Sequence, residues 1–338
     1  MHYLVTGHTG FKGAWLAMIL KNRNHKVSGI SLDPIRNSLF DSARIWDMFE
    51  YDKRINIGNS ALLEDAFRTV NPDVVIHMAA QPLVRESYRN PVTTYDTNIF
   101  GTLNVLKATS KTSSIKAQLI ITTDKVYRNV NKLEGYVESE ILEGQDPYSS
   151  SKAIADLLTQ EWVRSVKSCP TAIARAGNVI GGGDVSSERL IPDLINSYSN
   201  NLVPALRFPN AVRPWQHVLD CLNGYLMLVD NLLDGDGEGA WNFGPAEHEI
   251  RTVGEVSNLV GEIWGVKKAW VKDSGYHPHE AGLLNLNSGK ARSKLGWKDK
   301  LGFAESIRWT TDWYKNVNSG ISSLEATMGN IEKFESLK

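Results

Sequence analysis

"YLVTGHTGFKGAW", residues 3–15, runs from a short apolar stretch into three glycines, Gly7, Gly10 and Gly13, and then into an apolar helical segment. That order decides the fold. Glycines at three-residue spacing, after a strand and opening a helix, let the chain turn sharply and approach a pyrophosphate, which then rests on the helix N-terminus. A glycine triplet alone is weak evidence, but the strand before it and the helix after it supply the required context. Asp33 closes the next apolar run, 20 residues beyond Gly13, where a carboxylate accepts the hydroxyls of an adenosine ribose. The same carboxylate repels a 2′-phosphate, so the expected cofactor is NAD rather than NADP, with Arg36 the residue able to reverse that preference.

Working outward, residues 3–6, 26–32, 74–78 and 119–122 read as strands with little polar interruption, the pattern of strands covered on both faces of a parallel sheet. Between them "AWLAMILKN", "ALLEDAFRTV" and "TNIFGTLNVLKATS" carry apolar residues at three- and four-residue spacing, as amphipathic helices do. This alternation predicts an α/β fold with a doubly wound parallel Rossmann sheet. After Ile173 glycine, proline and asparagine become frequent, and the pattern predicts a smaller C-terminal α/β substrate domain. The expected division is 1–172 for the dinucleotide domain, with 211–232 crossing back to it, 173–315 mainly for substrate, and 316–338 as a loosely held polar tail.

The totals agree with an ordinary globular protein: 338 residues, 42% apolar, net charge −1. So balanced a charge gives no field that would draw the chain to nucleic acid or to a membrane. Two cysteines, Cys169 and Cys221, make no disulfide framework, which fits a reducing cytoplasm. The apolar run 14–20 follows a glycine loop rather than a basic leader and is too short for a membrane span.

"DPYSSSKAIADLL" places Tyr148 and Lys152 four residues apart at a helix start, on one face. A lysine one turn from a tyrosine, with an oxidised nicotinamide nearby, is expected to lower the phenol pKa toward that of a general base. With these residues in view the chain resembles the extended short-chain dehydrogenases/reductases that act on nucleotide-diphosphate sugars. "HMAAQPLVRESY", "TTDKVY", "RAGNVIGGGD", "RPWQHVL" and "HPHEA" narrow the resemblance to the family of CDP-glucose 4,6-dehydratases, over nearly the whole chain. Such enzymes oxidise the sugar at C4, eliminate water across C5 and C6, and return the hydride to C6.

The resemblance implies roles. Tyr148 takes the O4 proton, Thr123 bonds the same oxygen, Asp124 protonates the departing C6 hydroxyl, and Lys152 supports Tyr148. Lys125 stands where the dTDP-glucose dehydratases carry a glutamate that removes the C5 proton. Either it does this as a neutral amine, or it stays charged and stabilises the developing enolate. In a regular strand Asp124 would face away from Thr123 and Lys125, so the three share a pocket only if the strand ends there. Cofactor contacts are implied for Gly7, Thr9, Gly10, Phe11, Gly13, Asp33, Asn56, Ile57, Ala79, Ala80 and Asn98, besides Tyr148 and Lys152. Asn56 replaces the family's usual aspartate, and is expected to reach adenine through its carbonyl oxygen.

Arg213 suits a diphosphate and Asn178 a phosphate oxygen; Gln81, Arg189 and His277 are the other expected contacts to a nucleotide-diphosphate sugar, CDP-glucose in the family resembled. His277, His279 and Glu280 are too cramped for one tetrahedral metal site. "DGDGEG" at 234–239 opens like a calcium loop, but Pro245 occupies the twelfth position, so no metal is expected. The apolar faces of the helices around 98–109 and 154–163 exceed what one sheet covers, which, with the resemblance, implies a homodimer or a tetramer.

Overall fold

The computed structural model describes residues 1–166, 168–246, 249–275 and 283–337. Seven parallel strands form the central sheet: β1 (His2–Thr6), β2 (Lys26–Ser31), β3 (Tyr51–Arg54), β4 (Val74–His77), β5 (Ala117–Ile121), β6 (Thr171–Ala176) and β11 (Gly239–Phe243). Their spatial order is β3-β2-β1-β4-β5-β6-β11. The order reverses between β1 and β4, so the loops leaving these strands diverge and open a crevice at their C-terminal ends. Every residue of β4, β5 and β6 is buried, because helices cover both faces. β3 is a polar edge strand and for that reason carries no apolar run in the sequence.

The helices are α1 (Phe11–Asn22), α2 (Leu39–Ser42), α3 (Ser60–Val70), α4 (Val84–Arg89), α5 (Pro91–Tyr95), α6 (Gly101–Ser110), α7 (Pro147–Val166), α8 (Leu190–Ser199), α9 (Val218–Leu233), α10 (Val253–Trp264), α11 (Gly289–Lys294), α12 (Phe303–Asn318) and α13 (Ser323–Ser336). One π turn, Asp96–Phe100, joins α5 to α6. Short strands complete the smaller layer: β7 (Asn178–Ile180) beside β10 (Trp215–His217), β8 (Ala205–Leu206) beside β13 (Val271–Lys272), and β9 (Val212–Arg213) beside β12 (Arg251–Thr252). One apolar cluster runs through both layers, from Trp15 and Leu119 to Tyr198, Trp241 and Ile307.

Three expectations need correction. α1 is not amphipathic: Gly13 to Leu20 are all buried, because α2, α9 and α13 cover the side that faces away from the sheet. The division at residue 172 cuts through β6, and β11 also belongs to the main sheet. The expected polar tail is the docked helix α13, whose Ile331 and Phe334 enter the core while Ser322 caps its first turn. Among the described residues no helix is long and apolar enough to cross a membrane.

Candidate active site

The glycine loop forms one wall of the crevice. Gly7 has φ +77°, and a Cβ there would lie 2.7 Å from the Ala79 nitrogen at the end of β4. A Cβ on Gly13 would meet the Gly7 carbonyl oxygen at 2.3 Å. Only glycine permits these approaches, so the loop folds onto itself and leaves the start of α1 bare. Gly10 caps that helix with no side-chain hydrogen bond, so its first-turn amides face the crevice as anion donors. These features fit a dinucleotide pyrophosphate. Thr9 braces the loop from behind, bonded to Ser31 Oγ at 2.7 Å and the Leu32 carbonyl at 3.1 Å. Phe11 lies against the smaller layer, where a Cβ on Gly181 would come within 3.1 Å of its ring.

Asp33, just beyond β2, is 90% exposed and therefore open to a ribose; its partner is Arg54 on β3, 3.7 Å away. Arg54, whose guanidinium also donates to Asp52, is thus a second cation beside Asp33, a neighbour that only strand pairing reveals. Asn56 departs from expectation: its carbonyl oxygen accepts from Gly58 N at 2.8 Å, closing a local turn instead of standing free for adenine. Ile57 is buried in the core beneath α3. Ala79 and Ala80 follow β4 beside the glycine loop. Asn98, buried in the π turn, spends its amide on the Gln81 backbone (2.9 and 3.2 Å) and Ser151 Oγ (2.8 Å). It brackets the loop after β4 to α7.

The opposite wall holds the reactive groups. β5 ends at Ile121, and a 3₁₀ turn over Asp124–Val126 follows directly, so the alternation of a strand is broken and Thr123, Asp124 and Lys125 gather on one side. Thr123 Oγ1 donates to Asp124 Oδ1 at 2.9 Å, and Lys125 Nζ stands 3.3 Å from the same oxygen. Asp124 is fully buried, yet its Oδ2 has no hydrogen-bond partner among the described residues. Gly177 keeps that oxygen clear, since a Cβ there would lie 3.2 Å from it and 2.5 Å from Pro214 Cγ.

Tyr148 comes from the first turn of α7 and faces Thr123, so Tyr148, Thr123, Asp124 and Lys125 stand together along this wall. Burial pushes the phenol up to about 12, against the pull of Thr123. One turn along α7, the Lys152 ammonium donates to the Ile121 carbonyl at 2.7 Å. Burial, aided by repulsion from Lys12, brings Lys152 down to about 8. Lys12 was not singled out in the sequence. It extends from α1 toward Tyr225 Oη (3.5 Å) in the same crevice, among the charges of Arg189 and Asp124.

The expected sugar-nucleotide contacts scatter. Asn178 opens β7 with no side-chain hydrogen bond among the described residues. Arg189 caps α8 and donates to Asp184 at 2.9 Å. Arg213 is buried on β9 and donates to the Val212 carbonyl at 2.8 Å. Gln81 departs from expectation: its amide closes its own loop on Leu83 and Thr94 Oγ1. His277 lies outside the described residues.

A glycine-loop crevice at the switch point, faced by a Tyr–Lys helix and flanked by a smaller layer, defines an extended short-chain dehydrogenase/reductase. Within that class the chain belongs to the nucleotide-sugar 4,6-dehydratase family, whose GDP-mannose 4,6 dehydratase profile matches residues 4–310. It is 40% identical over 325 residues to the CDP-glucose 4,6-dehydratase of Salmonella typhimurium, covering 92% of this chain and 89% of that one. The dTDP-glucose 4,6-dehydratase of Bacillus anthracis, solved with NAD, matches at TM-score 0.80 and 25% identity over 94% of this chain and 98% of that one. The UDP-glucose 4-epimerase of Thermotoga maritima, with UDP-glucose, matches at TM-score 0.83 and 22% identity, covering 94% and 100%, a likeness of fold.

Proposed function

We propose that this protein converts CDP-glucose to CDP-4-dehydro-6-deoxyglucose in an NAD-dependent cycle, at an early step of deoxysugar synthesis. The observation that carries the reading is the turn after β5, which gathers Thr123, Asp124 and Lys125 beside Tyr148 of α7 and so sets an oxidation base beside a dehydration acid. A 4-epimerase needs the first and has no use for the second. NAD, held by the glycine loop and by Asp33, supplies a hydride acceptor and later a donor, and brings a positive charge near the phenol.

Tyr148 receives the O4 proton while Thr123 orients the same oxygen. Oδ1 of Asp124 is fully engaged, so the free Oδ2 is the atom that holds the proton given to the leaving C6 hydroxyl. Lys125, 3.3 Å from Asp124, is the residue proposed to take the C5 proton, as a neutral amine while Asp124 carries the proton it gives to the leaving hydroxyl. Asn178, Arg189 and Arg213, around the mouth, are the residues proposed for the diphosphate. Phe100, Ile154 and Leu157, exposed on adjoining helical segments, are proposed to pack against a second copy in a cytoplasmic homodimer.

Incubation with CDP-, dTDP-, GDP- and UDP-glucose, read by mass spectrometry, tests the reading. Loss of water from CDP-glucose is expected. A C4 epimer with its C6 hydroxyl intact would overturn the dehydratase; preference for another base would overturn the substrate alone.

A further inference from the structure

Asp156 and Arg175 are both sealed from solvent and meet in a two-pronged contact, Nε to Oδ2 at 2.8 Å and Nη2 to Oδ1 at 2.7 Å. Neither belongs to the group Tyr148, Thr123, Asp124 and Lys125. Asp156 lies four residues beyond Lys152 and eight beyond Tyr148, hence on the same face of α7. Arg175 is the penultimate residue of β6.

The pair reaches both ends of the catalytic turn. Before it, Thr122 Oγ1 donates to Asp156 Oδ2 at 2.9 Å; after it, Arg175 Nη1 donates to Tyr127 Oη at 2.8 Å. Thr122 and Tyr127 immediately flank Thr123–Val126. Two consecutive residues at the end of β5 are thereby tied to α7: Ile121 to Lys152 and Thr122 to Asp156. The remaining valences are used as well. Gln160 donates to Asp156 at 2.8 Å, Arg175 to the Glu138 carbonyl at 3.0 Å, and Tyr127 to Asn242 at 2.7 Å.

A buried ion pair is weak support for stability, since desolvation offsets most of its attraction. When every polar atom is satisfied, such a network instead fixes direction. Direction is what the site demands: Thr123 and Lys125 hold Oδ1 of Asp124, Oδ2 has no partner among the described residues, and the placement of the turn sets where that oxygen points.

We propose that Asp156 and Arg175 are positioning residues that clamp both ends of the Thr123–Val126 turn. The clamp keeps the dehydration acid Asp124 in register with the oxidation pair Tyr148–Lys152. This rests on the dehydratase reading. The site poised to oxidise C4 is thereby also poised to expel water across C5 and C6.

Thr122→Val and Tyr127→Phe each delete one hydroxyl at one end of the turn and keep its shape, including the stack of Tyr127 on Tyr136 (5.3 Å, 13°). Each is expected to lower kcat about 10-fold, with KM for the nucleotide sugar and Kd for NAD within about 2-fold of wild type. Quenched reactions should contain more C4-oxidised sugar that retains its C6 oxygen. Thr310→Val, which removes a buried hydroxyl bonded to Ser306 on α12, gives the baseline for purely structural damage: a lower Tm with kcat unchanged. The apolar exchange Asp156→Leu with Arg175→Met is expected to fold and to lose kcat as both end variants do. Wild-type kcat without the retained-oxygen sugar in the end variants overturns the clamp, as does a kcat loss matched by lost NAD affinity. A wild-type protein that never loses water from any nucleotide sugar overturns the dehydratase reading first, and the clamp's role with it.

Discussion

The glycine loop and the catalytic turn sit at the C-terminal ends of two strands of one sheet, β1 and β5, and solve opposite problems. The loop works through backbone: side chains are excluded, and the helix amides beyond it are left open for an anion. The turn works through side chains: Thr123, Asp124 and Lys125 are bonded together beside Tyr148, and a buried network outside the group holds them. Backbone recognition is robust and general, whereas the turn's chemistry depends on where individual oxygens point. Damage to the loop should therefore appear as lost binding, and damage to the turn as lost turnover.

Removing the base should have the largest effect. Tyr148→Phe is expected to lower kcat by about 10²-fold or more while cofactor and nucleotide-sugar binding persist. Near-normal turnover would break the comparison outright, since the turn would then do no chemistry. Asp124→Asn is expected to cost about 10²-fold in kcat and to stop later, with the sugar oxidised at C4 but still carrying its C6 oxygen. Mass spectrometry of quenched reactions distinguishes that arrest from a failure to oxidise.

The loop is expected to fail differently. Gly13→Ala forces a Cβ to 2.3 Å from a backbone oxygen, so the loop must move, and NAD affinity should fall about 10-fold in a calorimetric titration. Gly329→Ala, on the last helix with open space around it, should leave affinity unchanged.

The smallest effect is on stability, and it sharpens the cost of burying a reactive cation. Lys152 releases its proton near pH 8 in the folded chain, against an ordinary value of 10.5. The unfolded chain binds more protons between these values, so wild-type stability rises as pH climbs through them, and the full penalty is present below pH 8. Lys152→Met should therefore unfold a few degrees higher than wild type at pH 7, with the gap closing by about pH 10.5. A gap that ignores pH would mean burial of the charge is not the cause.

Parts of the site differ in legibility for physical reasons. Gly7 and Gly13 are legible because a steric demand on the backbone admits one residue type, and the Tyr148–Lys152 spacing because helix geometry is periodic. Arg54 beside Asp33, and Lys12 beside Asp124 and Arg189, arise from strand pairing and helix docking between segments far apart in the chain. Gln81 and Asn56 are ligand contacts only by the resemblance; in the structure the Gln81 amide bonds within its own loop and the Asn56 oxygen accepts from Gly58. α13 was read as a tail because its composition is polar, but Ile331 and Phe334 suffice to dock it against a core that only the folded chain assembles.

Local and periodic signals in the sequence by themselves determined the doubly wound sheet, the dinucleotide crevice and the Tyr148–Lys152 pair, whereas Thr123, Asp124 and Lys125 were singled out by the family resemblance. Sterics of the backbone and the pitch of a helix act over a few residues, so one short stretch carries them whole. Tertiary structure alone decided that β5 stops one residue before Thr122, that Asp124 keeps one oxygen free, and that Arg175 reaches from β6 to hold the turn. Those outcomes depend on hydrogen bonds between groups brought together by packing, and no local pattern in the chain encodes which partner each one finds.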